Sequence, residues 1–377
     1  MPCTFTPAFC RIDLAALRRN FRRLGDPAEL MPVIKSDAYG HGLLPVAGAL
    51  ADAGARRFAV GTASEGVALR RAGFGQEIVP LMGCLTAGEW RAAAASGLTL
   101  LIAGFDDIEA AAAAATASGA RSVPVALKCD TGMGRLGFTP EDAPALAERL
   151  RAHPVLAPRF ALSHLSSVDM PVEDAYTAMQ VERFGRFFAA LSTAFPGLLP
   201  SLGNSAATVG PARVESGICR PGLALYGGNP FAGTSREALG QDLEWAMSVA
   251  APILAVHPLR AGESVSYGRL FTAPRDMLVA VAAAGYATGY ARALSGRVSL
   301  LVGGRRVPQV GRVCMSMLML DVSGVPDTAP GDLAWVLGGP AQAGETPVDA
   351  QELAQLLDTI PYEILCLMGG LNPRVYA

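Results

Sequence analysis

The sequence lacks the cysteine pattern of a disulfide-stabilised or zinc-binding protein. Its seven cysteines are an odd number, they are scattered along the chain, and no two of them form a Cys-x-x-Cys pair. Disulfide frameworks and structural zinc sites both depend on cysteines at regular, short spacings. We therefore expect neither a disulfide framework nor a metal site.

Long apolar runs and a charge excess are also missing. No apolar run approaches the roughly 18 residues of a membrane span, and the first residues lack the basic start and apolar stretch of a signal peptide. The formal net charge of −2 leaves no polycationic surface for nucleic acid. These absences predict a cytoplasmic protein that binds neither membranes nor nucleic acid.

The composition that is present predicts a well-packed globular chain. Apolar residues make up 51% and charged residues 17% of the 377 positions. Glycine and proline together stay below the level that indicates disorder. A chain of this length exceeds one ordinary core, so we expect two domains.

Up to about residue 228, short apolar strands alternate with longer helical stretches. The predicted strands are 33–34, 58–60, 78–82, 98–102, 123–127, 158–162, 199–202 and 218–226. The predicted helices are 65–72, 86–96, 106–118, 141–152 and 173–191. In the last helix Val181, Phe184, Phe188 and Leu191 recur at helical spacing, which indicates a core-facing stripe.

Eight such units predict an α/β fold with an N-terminal (β/α)8 TIM-type barrel over residues 11–232. A doubly wound sheet is the alternative, but no Gly-x-Gly-x-x-Gly motif follows the first strand. After a polar linker, residues 241–377 are rich in strand-like runs, and Gly303-Gly304 marks a hairpin. We predict a mainly β C-terminal domain with one late helix, Asp349–Leu357, and residues 1–10 are a candidate extra strand of it.

Lys35 lies directly after the first apolar strand, at the strand end where α/β barrels hold their chemistry. A buried lysine near other cations can lose its proton and act as a nucleophile or base, although an isolated lysine at a strand end more often only extends to solvent. The octapeptide Lys35-Ser36-Asp37-Ala38-Tyr39-Gly40-His41-Gly42 closely resembles the cofactor-lysine segment of the alanine racemase family. That resemblance implies pyridoxal 5'-phosphate (PLP) as cofactor, bound covalently by Lys35, and a bond from Tyr39 to its phosphate.

Other segments carry the same resemblance. Asn204-Ser205 opens a short helix after the seventh strand, and Arg220-Pro221-Gly222-Leu223 lies in the eighth, where barrels bind phosphate. Taken alone, Ser205 would be a helix N-cap. The family pattern implies that the phosphate meets the Ser205 hydroxyl beside Asn204, the amides of Gly222 and Leu223, and the phenols of Tyr39 and Tyr362.

Arg220 is the most diagnostic residue after Lys35. A guanidinium within a barrel strand needs a partner, and without context a buried salt bridge is the simpler interpretation. The resemblance implies that Arg220 faces the pyridine nitrogen of PLP. Because arginine cannot accept that proton, the ring is a weaker electron sink, which favours clean proton exchange at the substrate Cα.

Racemisation needs two bases on opposite faces of the substrate Cα. The resemblance implies Lys35 for one face and Tyr267, in Ser266-Tyr267-Gly268, from the partner subunit for the other. A phenol needs nearby positive charge to act as a base at neutral pH. By the same analogy His164 contacts the cofactor side of Arg220 and polarises Tyr267, whereas an ordinary hydrogen-bonded histidine is the alternative.

The remaining predicted site residues bind substrate. The resemblance implies Arg135, in Asp130-Thr131-Gly132-Met133-Gly134-Arg135, as the partner of the substrate carboxylate, and the amide of Met315 as a second contact. Tyr286 would narrow the entrance, and Lys128 aligns with a lysine that is often carbamylated in the family. Two positions depart from the family pattern: Ser316 replaces a common Asp, and Ser201 stands where some members have His.

These features predict a homodimeric, PLP-dependent alanine racemase with shared active sites, which supplies D-alanine for peptidoglycan. An amino-acid decarboxylase of the same architecture is one alternative. Such enzymes usually place a Gly-Gly-Gly run at the phosphate and a carboxylate at the ring nitrogen, and this chain has neither there. A non-catalytic PLP-binding protein is the other, but it would end after the barrel.

Overall fold

The computed structural model describes residues 8–210 and 217–377. The chain divides into two compact units. The first, which we call the barrel unit, comprises residues 17–38 and 43–244. The second, the sheet unit, comprises residues up to 16 together with 39–42 and 245–377.

The barrel unit contains parallel strands that alternate with helices, as predicted. Its strands are Arg57–Val60, Glu77–Pro80, Leu100–Ile102, Val123–Lys128, Leu156–Leu162 and Leu199–Ser201. The second and third of these are joined where the Thr99 amide donates to the Ile78 carbonyl at 2.9 Å. After the last, the Ile218 amide donates to the Pro200 carbonyl at 2.8 Å.

Two short segments complete the ring. Leu30 forms a parallel bridge with Cys219, and Val33 forms one with Ala59. The segment that precedes Lys35 therefore lies between the segment at Cys219 and the strand Arg57–Val60, and eight parallel segments close a barrel. The predicted α/β barrel followed by a mainly β domain is confirmed.

Helices connect the strands, and their boundaries follow local signals. In the helix Ala63–Arg71, the Thr62 side chain caps the Glu65 amide while Glu65 reaches back, a reciprocal capping box. The α-helices along the chain are Leu14–Leu24, Leu43–Asp52, Ala63–Arg71, Ala87–Ala95, Phe105–Ser118, Ala143–Arg151, Asp174–Ala194, Ser205–Val209, Ala350–Leu357 and Pro361–Leu371.

An ion-pair cluster joins the strands Arg57–Val60, Glu77–Pro80 and Leu156–Leu162. The Glu77 carboxylate accepts from Arg57 Nε at 2.8 Å and from Arg159 Nε at 2.7 Å. Arg159 is the extra residue at a register shift between the neighbouring strands, and a bulge of this kind redirects a side chain. Both guanidinium groups also lie near the Phe160 ring, at 6.0 and 5.4 Å from its centroid.

One prediction for the last barrel segment is wrong. The run 218–226 was expected to be a strand throughout, yet Leu223–Tyr226 forms a 3-10 helix that ends at Gly227 with φ 100°. All four of its residues are buried. An apolar buried run has no period that separates a strand from a helical turn, so sequence pattern alone could not place the boundary.

The sheet unit is built on one eight-stranded sheet. In spatial order its strands are Met277–Ala282, Leu318–Asp321, Arg305–Val310, Ser299–Val302, Leu333–Leu337, Met247–Leu259, Phe9–Ile12 and Arg374–Tyr376. The long strand Met247–Leu259 also pairs with Met277–Ala282, so the sheet closes on itself. Gly303 and Gly304 form the predicted two-residue hairpin turn, with φ of 58° and 79°.

The N-terminal strand Phe9–Ile12 pairs antiparallel with Met247–Leu259 and parallel with Arg374–Tyr376. Residues 1–7, which the candidate extra strand also included, lie outside the described part of the chain. A short second pair, Ser264–Val265 with Phe271–Thr272, flanks Tyr267. Among residues 8–210 and 217–377, no helix has the length and apolar character to cross a membrane.

Candidate active site

Lys35 follows the closing barrel segment and is half-buried. The four residues after it, Ser36 to Tyr39, all have φ between 54° and 55° and together form a left-handed turn. Each residue other than glycine in this left-handed conformation costs roughly 1–2 kcal/mol relative to the right-handed one. Strain of this kind persists only where the surroundings fix it, and it is concentrated at functional sites.

Neighbouring residues hold this turn in place. The Asp37 amide donates to Glu65 Oε1 at 3.1 Å, and Asp37 Oδ1 accepts from the Leu43 amide at 2.6 Å. A Cβ on Gly61 would lie 3.3 Å from the Lys35 Cβ. Glycine at position 61 therefore allows the end of the strand Arg57–Val60 to approach the lysine closely.

Four cationic side chains of the barrel unit act electrostatically on His164. Burial lowers the pKa of His164 to about 3, and Arg220, Arg135, Lys128 and Lys35 lower it further, in that order. The imidazole is therefore neutral at physiological pH. The same electrostatics act on Lys128, whose pKa falls to about 8 because of burial first and Arg220 second.

Arg220 is almost fully buried and is held by neutral acceptors. Its Nη1 donates to Ser201 Oγ at 2.6 Å, and its Nη2 donates to the Ser163 carbonyl. Burial lowers the pKa of Arg220 to about 10, and Arg135 contributes in the same direction. The buried salt bridge considered as the simpler interpretation is not among these contacts, so Arg220 has no carboxylate partner in the described part of the chain.

Ser201 stands where some family members have His, and its hydroxyl binds Arg220. Its hydroxyl donates to the Ile218 carbonyl at 2.6 Å and accepts from Arg220 at the same time. A hydroxyl is both donor and acceptor, so one small side chain ties the guanidinium to the neighbouring strand. The position that departs from the pattern therefore still bonds the arginine.

The segments of the predicted phosphate site are joined by one hydroxyl. Ser205 Oγ accepts from the Gly222 amide at 2.9 Å and from the Ala224 amide at 3.2 Å. Asn204, not Ser205, is the N-cap of the short helix, since its side chain accepts from the Ala207 amide at 3.0 Å. The N-cap interpretation of Ser205 is wrong, and its own O–H proton is left for another acceptor.

Arg135 lies exposed on the loop after the fifth strand. Asp130 shapes this loop, because its carboxylate accepts from the amides of Gly132, Gly134 and Arg135 at 2.9, 3.1 and 2.8 Å. Gly132 has φ 139°, and a Cβ there would lie 2.6 Å from the Tyr176 hydroxyl oxygen. The loop can therefore adopt this path only with glycine at position 132.

Two of the predicted phosphate-side phenols meet in the sheet unit. The rings of Tyr39 and Tyr362 lie 5.6 Å apart between centroids. Burial raises the pKa of Tyr39 above its usual range, and Tyr362 and Cys366 add to the effect. Tyr39 therefore keeps its proton and can only donate or accept as a neutral phenol.

Tyr267, Tyr286 and Met315 form an exposed group in the sheet unit, which we call the Tyr267 surface. Their side chains are 71%, 42% and 59% exposed. The Tyr286 amide donates to the Cys314 carbonyl at 3.2 Å, and Arg312 Nε donates to the Tyr267 carbonyl at 3.3 Å. Gly285 allows the Tyr286 segment to lie against Cys314, since a Cβ at position 285 would lie 2.2 Å from the Cys314 carbonyl oxygen.

Three buried polar residues of the barrel unit were not predicted from the sequence. Thr131, Ser163 and Gln180 are each at most 1% exposed and are hydrogen-bonded to one another. Serine, threonine and glutamine have no motif that distinguishes them from surface residues. Only the apolar spacing of the helix that carries Gln180 was a usable signal, and it pointed to other positions.

Comparison with known proteins gives a consistent result over the whole chain. The family models "Alanine racemase, N-terminal domain" and "Alanine racemase, C-terminal domain" match residues 12–230 and 246–376. The alanine racemase of Nitratidesulfovibrio vulgaris (strain DP4) is 50% identical over 375 residues, which cover 99% of this chain and 98% of that protein.

Solved structures agree with the sequence relatives. The alanine racemase of Streptomyces lavendulae matches with a TM-score of 0.88 at 34% identity, covering 100% of this chain and 98% of that one. The Bartonella henselae alanine racemase, solved with covalently bound pyridoxal phosphate, matches with a TM-score of 0.83 at 27% identity over 99% and 100% of the two chains.

Proposed function

This chain belongs to the alanine racemase family, and we propose that it interconverts L- and D-alanine with PLP bound at Lys35. That it is an isomerase acting on alanine follows from its identity to racemases over the full length. The cofactor, the two bases, the dimer and the cellular purpose are the proposal. The observation that carries it is the cluster of cations around His164.

The residues fit an anionic cofactor. Lys35, Lys128, Arg135 and Arg220 all act on one buried histidine, and within residues 8–210 and 217–377 the acceptors of Arg220 are neutral. Arg220 is buried, and buried charges are normally paired, so an anion beside it would stabilise it. The phosphate of PLP and the carboxylate of alanine would supply the negative charge.

The proposed phosphate contacts fit as well. Ser205 uses its oxygen for two amides and keeps its proton to donate. Tyr39 remains protonated, so it too is a donor toward phosphate oxygens. Asn204, the Leu223 amide and Tyr362 are further proposed contacts, in keeping with phosphate sites after the last strands of α/β barrels. The Gly222 amide donates to Ser205 Oγ here, so it would have to turn from Ser205 to the phosphate to join this set.

PLP, when bound, withdraws electrons from the substrate Cα and makes its proton acidic. The chain itself supplies the proton transfers and the orientation. Lys35 Nζ would take or give the proton on one face, and Tyr267 of the partner subunit on the other. Arg135 and the Met315 amide would hold the carboxylate, and neutral His164 would keep Arg220 in place without adding a further charge.

The exposure of the Tyr267 surface supports the shared-site dimer. Tyr267 is 71% exposed, so most of its surface is accessible to a second chain. Large apolar groups that remain exposed together mark an interaction surface. In a two-fold dimer the same surface would be used twice, so each barrel would receive one Tyr267.

We also propose a cytoplasmic location, a role in supplying D-alanine for peptidoglycan, and the domain division 11–232 and 241–377. Tyr286 would exclude side chains larger than methyl, with serine a weaker substrate because pockets reject a single added hydroxyl only on the order of a hundredfold. Lys128, with its lowered pKa, is the proposed lysine for carbamylation beside Arg135.

The proposed activity is tested by incubating the purified protein and PLP with L-alanine and following D-alanine by chiral chromatography. L-Serine serves as the comparison substrate and Lys35→Ala as the control protein. We expect D-alanine from the wild type only, and D-serine at a rate about a hundredfold lower. PLP-loaded wild type that forms no D-alanine would contradict the proposed reaction.

The cofactor lysine can be tested sharply because the chain contains only two lysines, Lys35 and Lys128. After borohydride reduction, mass spectrometry should find PLP on the peptide that contains Lys35, and Lys128→Arg should be labelled equally. Label on Lys128 of the wild type would reverse the assignment.

A further inference from the structure

We propose that Gln180 is a positioning residue, which fixes the loop that carries Arg135 against the segment that carries His164. The proposal rests on the proposed function, since these two segments hold the groups assigned to the substrate carboxylate and to Arg220. Gln180 lies on the helix Asp174–Ala194, outside every segment that the family resemblance pointed to.

One face of this helix contacts the loop after the fifth strand. Tyr176, Gln180 and Arg183 are spaced i, i+4 and i+7, so their side chains point the same way. The Tyr176 hydroxyl donates to the Gly132 carbonyl at 2.7 Å, and Arg183 Nη1 donates to the Thr131 carbonyl at 3.2 Å. The helix thus holds the loop backbone on both sides of Gln180.

Gln180 itself joins this loop to the next one. It is fully buried, and its Nε2 donates to Thr131 Oγ1 at 3.4 Å and to the His164 carbonyl at 3.3 Å. Its Oε1 accepts from the Ser166 amide at 3.0 Å and from the Ser166 hydroxyl at 3.1 Å. Both ends of the amide are occupied, so the side chain has one orientation.

The network continues to Arg220. Thr131 Oγ1 and Ser163 Oγ share a hydrogen bond of 2.9 Å, and the Ser163 carbonyl accepts from Arg220. Arg220, Ser163, Thr131 and Gln180 are therefore linked in sequence through buried polar groups. Because such groups are costly to leave unpaired, the network permits one relative placement of the two loops.

A merely structural Gln180 would affect stability without affecting the use of substrate. A positioning role makes a different prediction, since small displacements of a binding group cost on the order of tenfold to a hundredfold in rate or affinity. The distinguishing readouts are the split between KM and kcat and the local mobility of the two loops.

The test compares Gln180→Met, which keeps the side-chain length but loses all four bonds, with two controls on the same helix. Thr177→Val removes a buried hydroxyl that has no hydrogen-bond partner, and Phe187→Leu weakens the core of the helix. For Gln180→Met we expect KM for L-alanine to rise about tenfold, kcat to fall by less, and PLP content to stay at the wild-type level.

Hydrogen exchange supplies a readout that is independent of turnover. In Gln180→Met, amides of residues 130–137 and 164–167 should exchange about tenfold faster, in line with local opening. The two controls should leave both segments unchanged. Equal exchange in all variants, or a KM that moves no more than in Phe187→Leu of matched stability, would show that Gln180 is only structural.

A second variant guards against failure to fold. Thr131→Val removes the hydroxyl between Gln180 and Ser163, so by itself it should raise KM for L-alanine as Gln180→Met does. In the double variant the effect on KM should be smaller than the product of the two single effects. If the effects of Gln180→Met and Thr131→Val on KM multiply in the double variant, the two residues are not coupled and the proposed network is overturned. If the wild type did not racemise alanine, the exchange result would still decide the positioning role, so failure of the two proposals can be told apart.

Discussion

At the scale of single residues, buried positive charge is the main feature of the candidate site in the barrel unit. Arg220 and Lys128 both have pKa values below their usual range, chiefly because of burial. A group whose charged form is disfavoured in the folded state lowers stability at neutral pH. This loss of unfolding free energy can be measured for a group whose pKa lies in an accessible pH range.

Lys128 offers that measurement. Its pKa is about 8 in the folded protein and 10.5 when unperturbed. Between these values the unfolded chain binds more protons than the folded one, so stability should rise with pH; below about 8 both states are protonated and the penalty is constant. Relative to Lys128→Met, the wild type should gain up to about 3 kcal/mol of unfolding free energy between pH 7.5 and 10.5.

Urea unfolding across this pH range checks the prediction, and other titrating groups cancel in the difference between the two proteins. A difference that is flat with pH would mean that the Lys128 amine does not titrate in this window. Carbamylated Lys128 would give such a flat difference, and removal of carbon dioxide from the buffers would then restore the slope.

At the scale of elements, the left-handed turn after Lys35 is the most unusual local structure. Four successive residues with positive φ, none of them glycine, carry strain that the bonds to Asp37 must offset. Ser36, an exposed member of the turn, tests this strain, because glycine adopts the same φ without a steric penalty.

Ser36→Gly should therefore leave the unfolding free energy unchanged or raise it by up to about 1 kcal/mol, since the relieved strain exceeds the added freedom of the unfolded chain. The matched change Ser64→Gly, exposed in the right-handed helix Ala63–Arg71, should cost about 0.5 kcal/mol. Urea denaturation of both variants measures the contrast. Equal losses would mean that residue 36 is not left-handed in solution.

Elements with clear periodicity were predicted well, and those without it were not. The helix 106–118 and the glycine hairpin follow from local signals that the structure reproduces. The helix Pro361–Leu371 was missed, although Pro361 at its first position and Glu363 in its first turn were available signals. The left-handed turn had no usable signal, because only Asp37 among its residues adopts that backbone more readily than most.

The candidate site shows the same limit. Chemistry-bearing residues such as Lys35, Arg135 and Arg220 stand out by type and motif. In the helix Asp174–Ala194 the predicted stripe contained only apolar residues, whereas Thr177 and Gln180 are buried and Val181 is only partly so. A buried glutamine is invisible to a hydrophobic pattern, since its place depends on partners from loops distant in sequence.

At the scale of the whole molecule, the proposed chemistry is divided between the two units. Lys35 belongs to the barrel unit and Tyr267 to the sheet unit, where Tyr267 is exposed. The proposed shared site makes each catalytic centre depend on two chains. Single variants at either residue should then be nearly inactive as homodimers, because every site lacks one base.

Mixing Lys35→Ala with Tyr267→Ala should restore activity. Random pairing after joint refolding gives hybrids in half the dimers, and each hybrid has one site with both bases and one with neither, so about a quarter of wild-type activity should return. Native mass spectrometry confirms the hybrids, and refolded homodimers of each variant give the baseline. If hybrids form and the rate stays at that baseline, both bases come from one chain or Tyr267 is not a base. A recovery near a quarter requires the Lys35 of one subunit to act with the Tyr267 of the other.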